Sequence, residues 1–134
     1  FFQKKHPKSA DKNEFSIKWV ESLTDLESYC KEDVQATFLE LTVWSIATAI
    51  KEVKPACSEV IVCGGGGHNP VLLKSLSKHF SRVILSEEHG YSIDFMEAMM
   101  MAWFARQRMS EIRLNLTTIT GAKRPTCLGD MYLP

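Results

Sequence analysis

The sequence predicts an α/β fold, helix-rich and built around a βαβ unit with two or three parallel strands. Three observations carry that prediction. Two short β-branched runs, residues 59–63 and 82–86, flank a helix-forming segment, and a right-handed crossover between such strands makes them parallel. Four consecutive glycines, Gly64 to Gly67, end the first run where a strand would turn into a helix. Upstream, Leu39, Val43, Ile46, Ile50 and Val53 step by four, three, four and three, the spacing of one apolar stripe along a long helix.

The elements follow in order. Residues 1–13 are polar and basic, with Lys4, Lys5, Lys8 and Lys12 around His6-Pro7, and have no period, so they read as a loop with a solvated lysine surface. Asp11 followed by Glu14 makes a capping pair, and Phe15, Trp19, Val20, Leu23 and Leu26 recur at helical spacing, predicting a first helix over residues 12–29. The striped helix should end before Pro55, which cannot continue it and biases Lys54 away from helical geometry. Residues 59–63 read as a buried strand. Asn69-Pro70 then starts a helix, Asn as N-cap and Pro at the first helical position, with Val71, Leu72, Leu76 and Phe80 as its apolar face. Residues 82–86 form the second strand and residues 87–90 a polar turn. Ser92 caps a fourth helix over residues 93–109, so apolar all round that it should lie buried between layers. Residues 116–120 read as one more strand before a turn at Gly121.

Composition bounds the function. A chain of 134 residues, 45% apolar and 24% charged, holds one globular domain at most. Its 16 basic and 16 acidic residues balance, and no window carries the basic stripe a phosphate-backbone binder needs, so no nucleic acid is expected as partner. The richest apolar stretch, residues 95–105, contains Glu97 and falls short of the ~18 residues of a membrane span, so no membrane is expected either. Cys30, Cys57, Cys63 and Cys127 make no CxxC pair and no Cys/His zinc spacing, and the default is a reducing cytoplasm. Position 1 is Phe, and the opening residues lack the features of a signal peptide; the expectation is a chain that begins inside a longer one.

The glycine run carries the most chemistry. Residues without Cβ between a strand end and a helix start let backbone approach a ligand closely, and the amides and dipole of the helix favour an anion. A plain tight turn has the same composition. The run is not a Walker A loop, because no Gly-Lys-Ser/Thr follows, and as a dinucleotide fingerprint it lacks the third glycine. Glu87 nevertheless stands about where a ribose-binding acid would, which keeps a Rossmann-like or methyltransferase-like reading open. Glu97, a carboxylate in an apolar helix, needs either a structural partner such as Arg106, Arg108 or a backbone amide, or a cleft to face. The methionines between Met96 and Met101 read as adaptable core filling rather than a soft-metal site. The four histidines share no ligand spacing; His68 stands out only by its place in the loop, where helix capping is the alternative role.

Together these residues resemble a family. The string from Val62 through Gly64, Gly65, Gly66, Gly67, His68 and Asn69 to Pro70, then Glu97-Ala98 with Ala102-Trp103-Phe104-Ala105, then Thr120-Gly121-Ala122 and Leu128-Gly129, resembles the C-terminal part of the anhydro-N-acetylmuramic acid kinases. Lys8-Ser9, Glu14-Phe15 and Ala36-Thr37 resemble the segments that precede it. The resemblance covers nearly the whole chain, in order. It implies a partial ribonuclease H-like domain of the actin-like, sugar-kinase and Hsp70 ATPase group. Residues 1–134 would be the C-terminal part of its second ATPase-like domain, 1–13 a loop and 14–134 globular. It further implies an ATP-dependent, cytoplasmic sugar kinase of peptidoglycan recycling. That enzyme opens the 1,6-anhydro ring of anhydro-N-acetylmuramic acid with water and phosphorylates its 6-hydroxyl. By the same resemblance Gly64, Gly65, Gly66, Gly67 and Asn69 bind ATP, used with Mg²⁺, and Glu97 faces the sugar. The implied partners are the anhydro-sugar and the remainder of the same polypeptide, with a homodimer left open.

The departures matter equally. The family's Gly-Thr-Ser-x-Asp-Gly phosphate loop, its central aspartate base and its Gly-Pro-Gly-Asn segment are absent from these residues. Gly67 stands where alanine is more usual, and Asn115-Leu116-Thr117 where the family tends to have Gly-Asn-Leu-Pro. No catalytic residue and no metal ligand is therefore expected in this chain, which alone should be inactive. The alternatives carried forward are a nucleotide-binding module or inactive kinase relative, and the Rossmann-like or methyltransferase-like domain.

Overall fold

The computed structural model describes all residues except Gln3, His6, Ser9, Lys12, Leu133 and Pro134. It divides into two compact units, Phe15–Met96, and Phe1–Glu14 together with Glu97–Pro134.

In the first unit, helix α1 spans only Ile17–Glu21, and a 3-10 turn follows at Leu26–Ser28. The single helix expected over residues 12–29 is corrected, its proposed start at Lys12 lying outside the described residues. Short polar side chains take the backbone away from it. Asp11 Oδ1 accepts from the Asn13 amide at 2.9 Å, making a local turn rather than a cap, and Ser22 Oγ donates to the Trp19 carbonyl at 2.6 Å. Asp25 in turn caps the 3-10 turn, accepting from the Glu27 amide at 3.1 Å and from Ser28 Oγ at 2.7 Å.

Helix α2, Lys31–Val53, is the long helix of the stripe, with Glu32 and Asp33 in its first turn, where the helix dipole favours acids. It stops before Pro55 as expected. Val43 and Ala47 are fully buried, with Ile46 and Ile50 packed around them. Val53, in the last turn, is exposed. Strand β1, Glu59–Val62, runs parallel to β2, Arg82–Leu85, in register Glu59 to Arg82 through Val62 to Leu85. Helix α3, Pro70–Leu76, crosses between them and completes the βαβ unit. The core lies where α2 and α3 meet one face of this two-stranded sheet: Val43, Ala47, Leu76 and Phe80, against Val60, Val62, Leu72 and Val83. Strand β1 is half buried rather than buried, because Ile61 on the opposite face stays 50% exposed.

In the second unit, helix α4 runs Met96–Met109 after a turn at residues 93–95 in which Ser92 Oγ accepts from the Asp94 amide at 3.3 Å. The expected burial between layers is corrected: no residue of α4 is buried, and Met101, Trp103 and Met109 are exposed. A helix apolar on every side gives no period that points to a partner. The strand expected at residues 116–120 is also corrected. Thr117–Thr120 is a short helix, α5, because Asn115 Oδ1 accepts from the Thr117 amide and hydroxyl (3.2 and 2.8 Å). Gly121, left-handed at φ +76°, ends it. The local turn made by the Asn115 side chain outweighs the β-propensity of four β-branched residues. Further extended pairing among the described residues is one antiparallel bridge, Leu114 to Thr126, so the parallel strands number two. All four cysteines are free thiols, and no helix among the described residues is long and apolar enough to cross a membrane.

Candidate functional site

The glycine loop leaves β1 through Gly64, whose φ of +77° and ψ of −177° lie in a region essentially restricted to glycine. The Gly64 amide donates to the Ile93 carbonyl at 2.8 Å. One 3-10 turn, Gly65–His68, follows, closed by bonds from the Gly67 amide to the Gly64 carbonyl (2.9 Å) and from the Asn69 amide to the Gly66 carbonyl (3.1 Å). That pattern leaves the adjacent amides of Gly65 and Gly66 without an acceptor among the described residues.

The four glycines are not equivalent. Gly64 is required by its backbone angles. A Cβ on Gly66 would meet Leu72 Cδ2 at 3.2 Å, and one on Gly67 would meet Ile93 Cδ1 at 3.2 Å and Leu85 Cδ2 at 3.3 Å, so close packing accounts for both. Gly65 has neither reason: its φ is not left-handed, and a Cβ there would stand in open space. A missing side chain with no cause inside the fold, beside two unpaired amides, is the arrangement that admits an anionic ligand to the backbone.

Asn69 is the N-cap that the sequence predicts, its Oδ1 accepting from the amides of Val71 (3.0 Å) and Leu72 (3.1 Å). Its Nδ2 has no acceptor among the described residues. Asn69 also lines a cavity of about 310 Å³ with Val71 of α3 and Glu32, Gln35, Ala36 and Leu39 of α2. Glu32 and Gln35 carry no sequence motif; only the packing of α2 on α3 reveals them. His68 does not cap the helix. Its Nε2 pairs with Asp94 Oδ1 at 2.7 Å, and the hydrogen bond to Asp94, that carboxylate's charge and the more distant Glu87 raise the His68 pKa above the usual 6.5.

Gly64, Gly65, Gly66, Gly67 and Asn69 are thus brought together in the first unit, while Glu97 belongs to the second. Glu97 is exposed in the first turn of α4, with no ion pair or hydrogen bond among the described residues. The premise that it is a buried carboxylate in need of a partner is therefore corrected, as is its pairing with Arg106 or Arg108. Glu87, in the turn after β2, is near enough to act on the charge of His68, so geometry alone leaves the Rossmann-like reading standing.

Comparison with known proteins decides the family. A family model described as anhydro-N-acetylmuramic acid kinase matches residues 1–134. The chain belongs to that family. Relatives named anhydro-N-acetylmuramic acid kinase include those of Pseudomonas syringae pv. syringae (strain B728a), 39% identical over 135 residues, and Actinobacillus pleuropneumoniae serotype 3 (strain JL03), 38% over 137 residues. Each alignment covers 98% of this chain and 37% of the relative. The corresponding protein of Legionella pneumophila (strain Corby) is 39% identical over 134 residues, covering 98% of this chain and 36% of its own length. The chain thus spans a little over a third of the curated relatives it matches. Membership of the kinase family, not the position of Glu87, sets the Rossmann-like and methyltransferase-like readings aside.

Proposed function

We propose that this chain supplies the nucleotide side of an anhydro-N-acetylmuramic acid kinase, as the C-terminal part of its second, ribonuclease H-like domain. The full polypeptide converts 1,6-anhydro-N-acetylmuramic acid, ATP and water to N-acetylmuramate 6-phosphate and ADP, in the cytoplasm, as a step of peptidoglycan recycling. The observation that carries this reading is the open space over Gly65 beside the unpaired Gly65 and Gly66 amides, in a chain of this family. Phosphoryl transfer is mostly positioning and charge stabilisation. Here the two amides receive a phosphate of ATP, Gly64 and Gly67 keep the loop in shape, and the Asn69 Nδ2 donates to the nucleotide. The nucleoside end lies in the cavity between Asn69 and the first turns of α2.

Glu97 contacts the sugar, and its exposure leaves its carboxylate available for that contact. The residues that activate the attacking water and hold the γ-phosphate lie outside the present residues, so this chain by itself turns nothing over. Among the described residues no group of three or more His, Cys, Asp or Glu side chains could hold a metal ion, and none is assigned to Mg²⁺. The partners are the anhydro-sugar, the remainder of the polypeptide and, as a further assembly, a second copy; no role for nucleic acid or a membrane is included. The test is a coupled ADP-release assay on the full polypeptide with anhydro-N-acetylmuramic acid. Sugar-dependent ADP release is expected, whereas ATP binding without release would favour an inactive nucleotide-binding relative.

A further inference from the structure

Three contacts converge on the segment that follows the second strand and its turn. The Ile93 carbonyl accepts from the Gly64 amide at 2.8 Å. The Ile93 side chain, 3% exposed, would lie 3.2 Å from a Cβ on Gly67. Asp94 holds His68 at 2.7 Å. Both ends of the glycine loop, Gly64 and His68, are thus tied to two consecutive residues, and between the ties lie the unpaired amides of Gly65 and Gly66. A loop that must offer its amides without reorganisation needs its ends held, because the flexibility of four glycines would otherwise be lost on binding at the ligand's expense.

We propose that Asp94 is a positioning residue for the glycine loop, acting through His68 to hold the Gly65 and Gly66 amides ready for the nucleotide; this rests on the nucleotide reading above. Its strength depends on protonation. Among the described residues the charged groups that act on His68 are Asp94, in contact with it, and the more distant Glu87, both acidic, and both favour the imidazolium. A raised His68 pKa means that the charged pair is present at low pH and lost as pH rises through that pKa, after which only a neutral hydrogen bond remains. Nucleotide affinity therefore falls with rising pH in this range. The terminal phosphate of ATP titrates nearby, so the informative quantity is the difference between the wild-type and Asp94→Asn profiles.

ATP binding to the full polypeptide is measured by calorimetry between about pH 6 and pH 8, the range in which histidine titrates. His68→Ala and Asp94→Asn are expected to weaken ATP about two- to fivefold at the acid end, the scale of an exposed ion pair. His68→Gln, whose amide still donates to the carboxylate but carries no charge, brings affinity back only to the wild-type level at the alkaline end, and both His68→Gln and Asp94→Asn flatten the pH dependence. Wild-type affinity in both His68→Ala and Asp94→Asn, with Gly65→Ala weakened, overturns the proposal while leaving the nucleotide loop intact. If Gly65→Ala also binds as wild type, the nucleotide reading itself has failed. The holding role is then judged by hydrogen exchange at the Gly64 amide: faster exchange in Asp94→Asn upholds it, and unchanged exchange overturns it.

Discussion

Gly65→Ala separates a ligand-binding glycine from a turn glycine more cleanly than any other change in this chain. The backbone of Gly65 is open to an L-residue and no atom lies within 4 Å of the added methyl, so the folded state gains no strain. The unfolded chain loses freedom, which stabilises the variant by about 0.4–1 kcal/mol. In the full polypeptide, longer than the roughly 150–250 residues for which ~1 kcal/mol is worth about 2–4 °C, that raises the melting temperature by less than about 4 °C. Gly64→Ala, forced to φ +77° and ψ −177°, should instead cost about 1–3 kcal/mol. Nucleotide binding runs the opposite way at Gly65. A methyl in the space over two amides displaces a phosphate from at least one charged hydrogen bond, a loss of about 1.5–3 kcal/mol, or roughly tenfold or more in affinity. Thermal unfolding followed by circular dichroism and calorimetric titration with ATP, both on the full polypeptide, give the two quantities. A Gly65→Ala protein that is as stable as expected yet binds ATP like the wild type would refute the reasoning, because the open space would then have no ligand.

Other expectations follow from the same geometry. Asn69→Ala should cost about 1 kcal/mol through loss of the cap on Val71 and Leu72, whereas Asn69→Ser keeps a cap and should leave stability within about 0.5 kcal/mol. If both weaken ATP binding, the Nδ2 contact is separated from capping. Leu76→Ala, at the centre of the α2–α3–sheet core and 2% exposed, should cost about 2–5 kcal/mol in denaturant unfolding, and Met100→Ala, 47% exposed on α4, under about 0.5 kcal/mol. Glu97→Gln should leave stability unchanged within about 0.5 kcal/mol and raise KM for the anhydro-sugar without changing KM for ATP in the coupled assay. Equal changes in both constants would remove Glu97 from the sugar site.

What was legible in the sequence is what short-range chemistry decides. Pro55 ends α2, Asn69-Pro70 opens α3, Gly121 turns the chain after residue 120, and two β-branched runs around a helix make a parallel pair, each the consequence of a few neighbouring residues. The glycine loop was visible for the same reason, but not the division of labour among its four glycines, which depends on Leu72, Leu85 and Ile93 coming close in space. Asp94 lies 26 residues from His68, and nothing local to it signals the pairing. Residues 22–25 and 115–117 depart from the sequence expectation because side chains competing for backbone groups leave no trace in hydrophobic period or β-propensity. Helix α4 departs for a different reason. Its composition says apolar, but burial is a statement about a partner, and a helix with apolar residues on all sides names none. That bears directly on Glu97. An exposed carboxylate carries no burial cost, so the role of Glu97 stands on family resemblance alone, while Gly65 stands on resemblance and geometry together. Of the two assignments, the sugar contact is therefore the one whose variant carries the greater weight of proof.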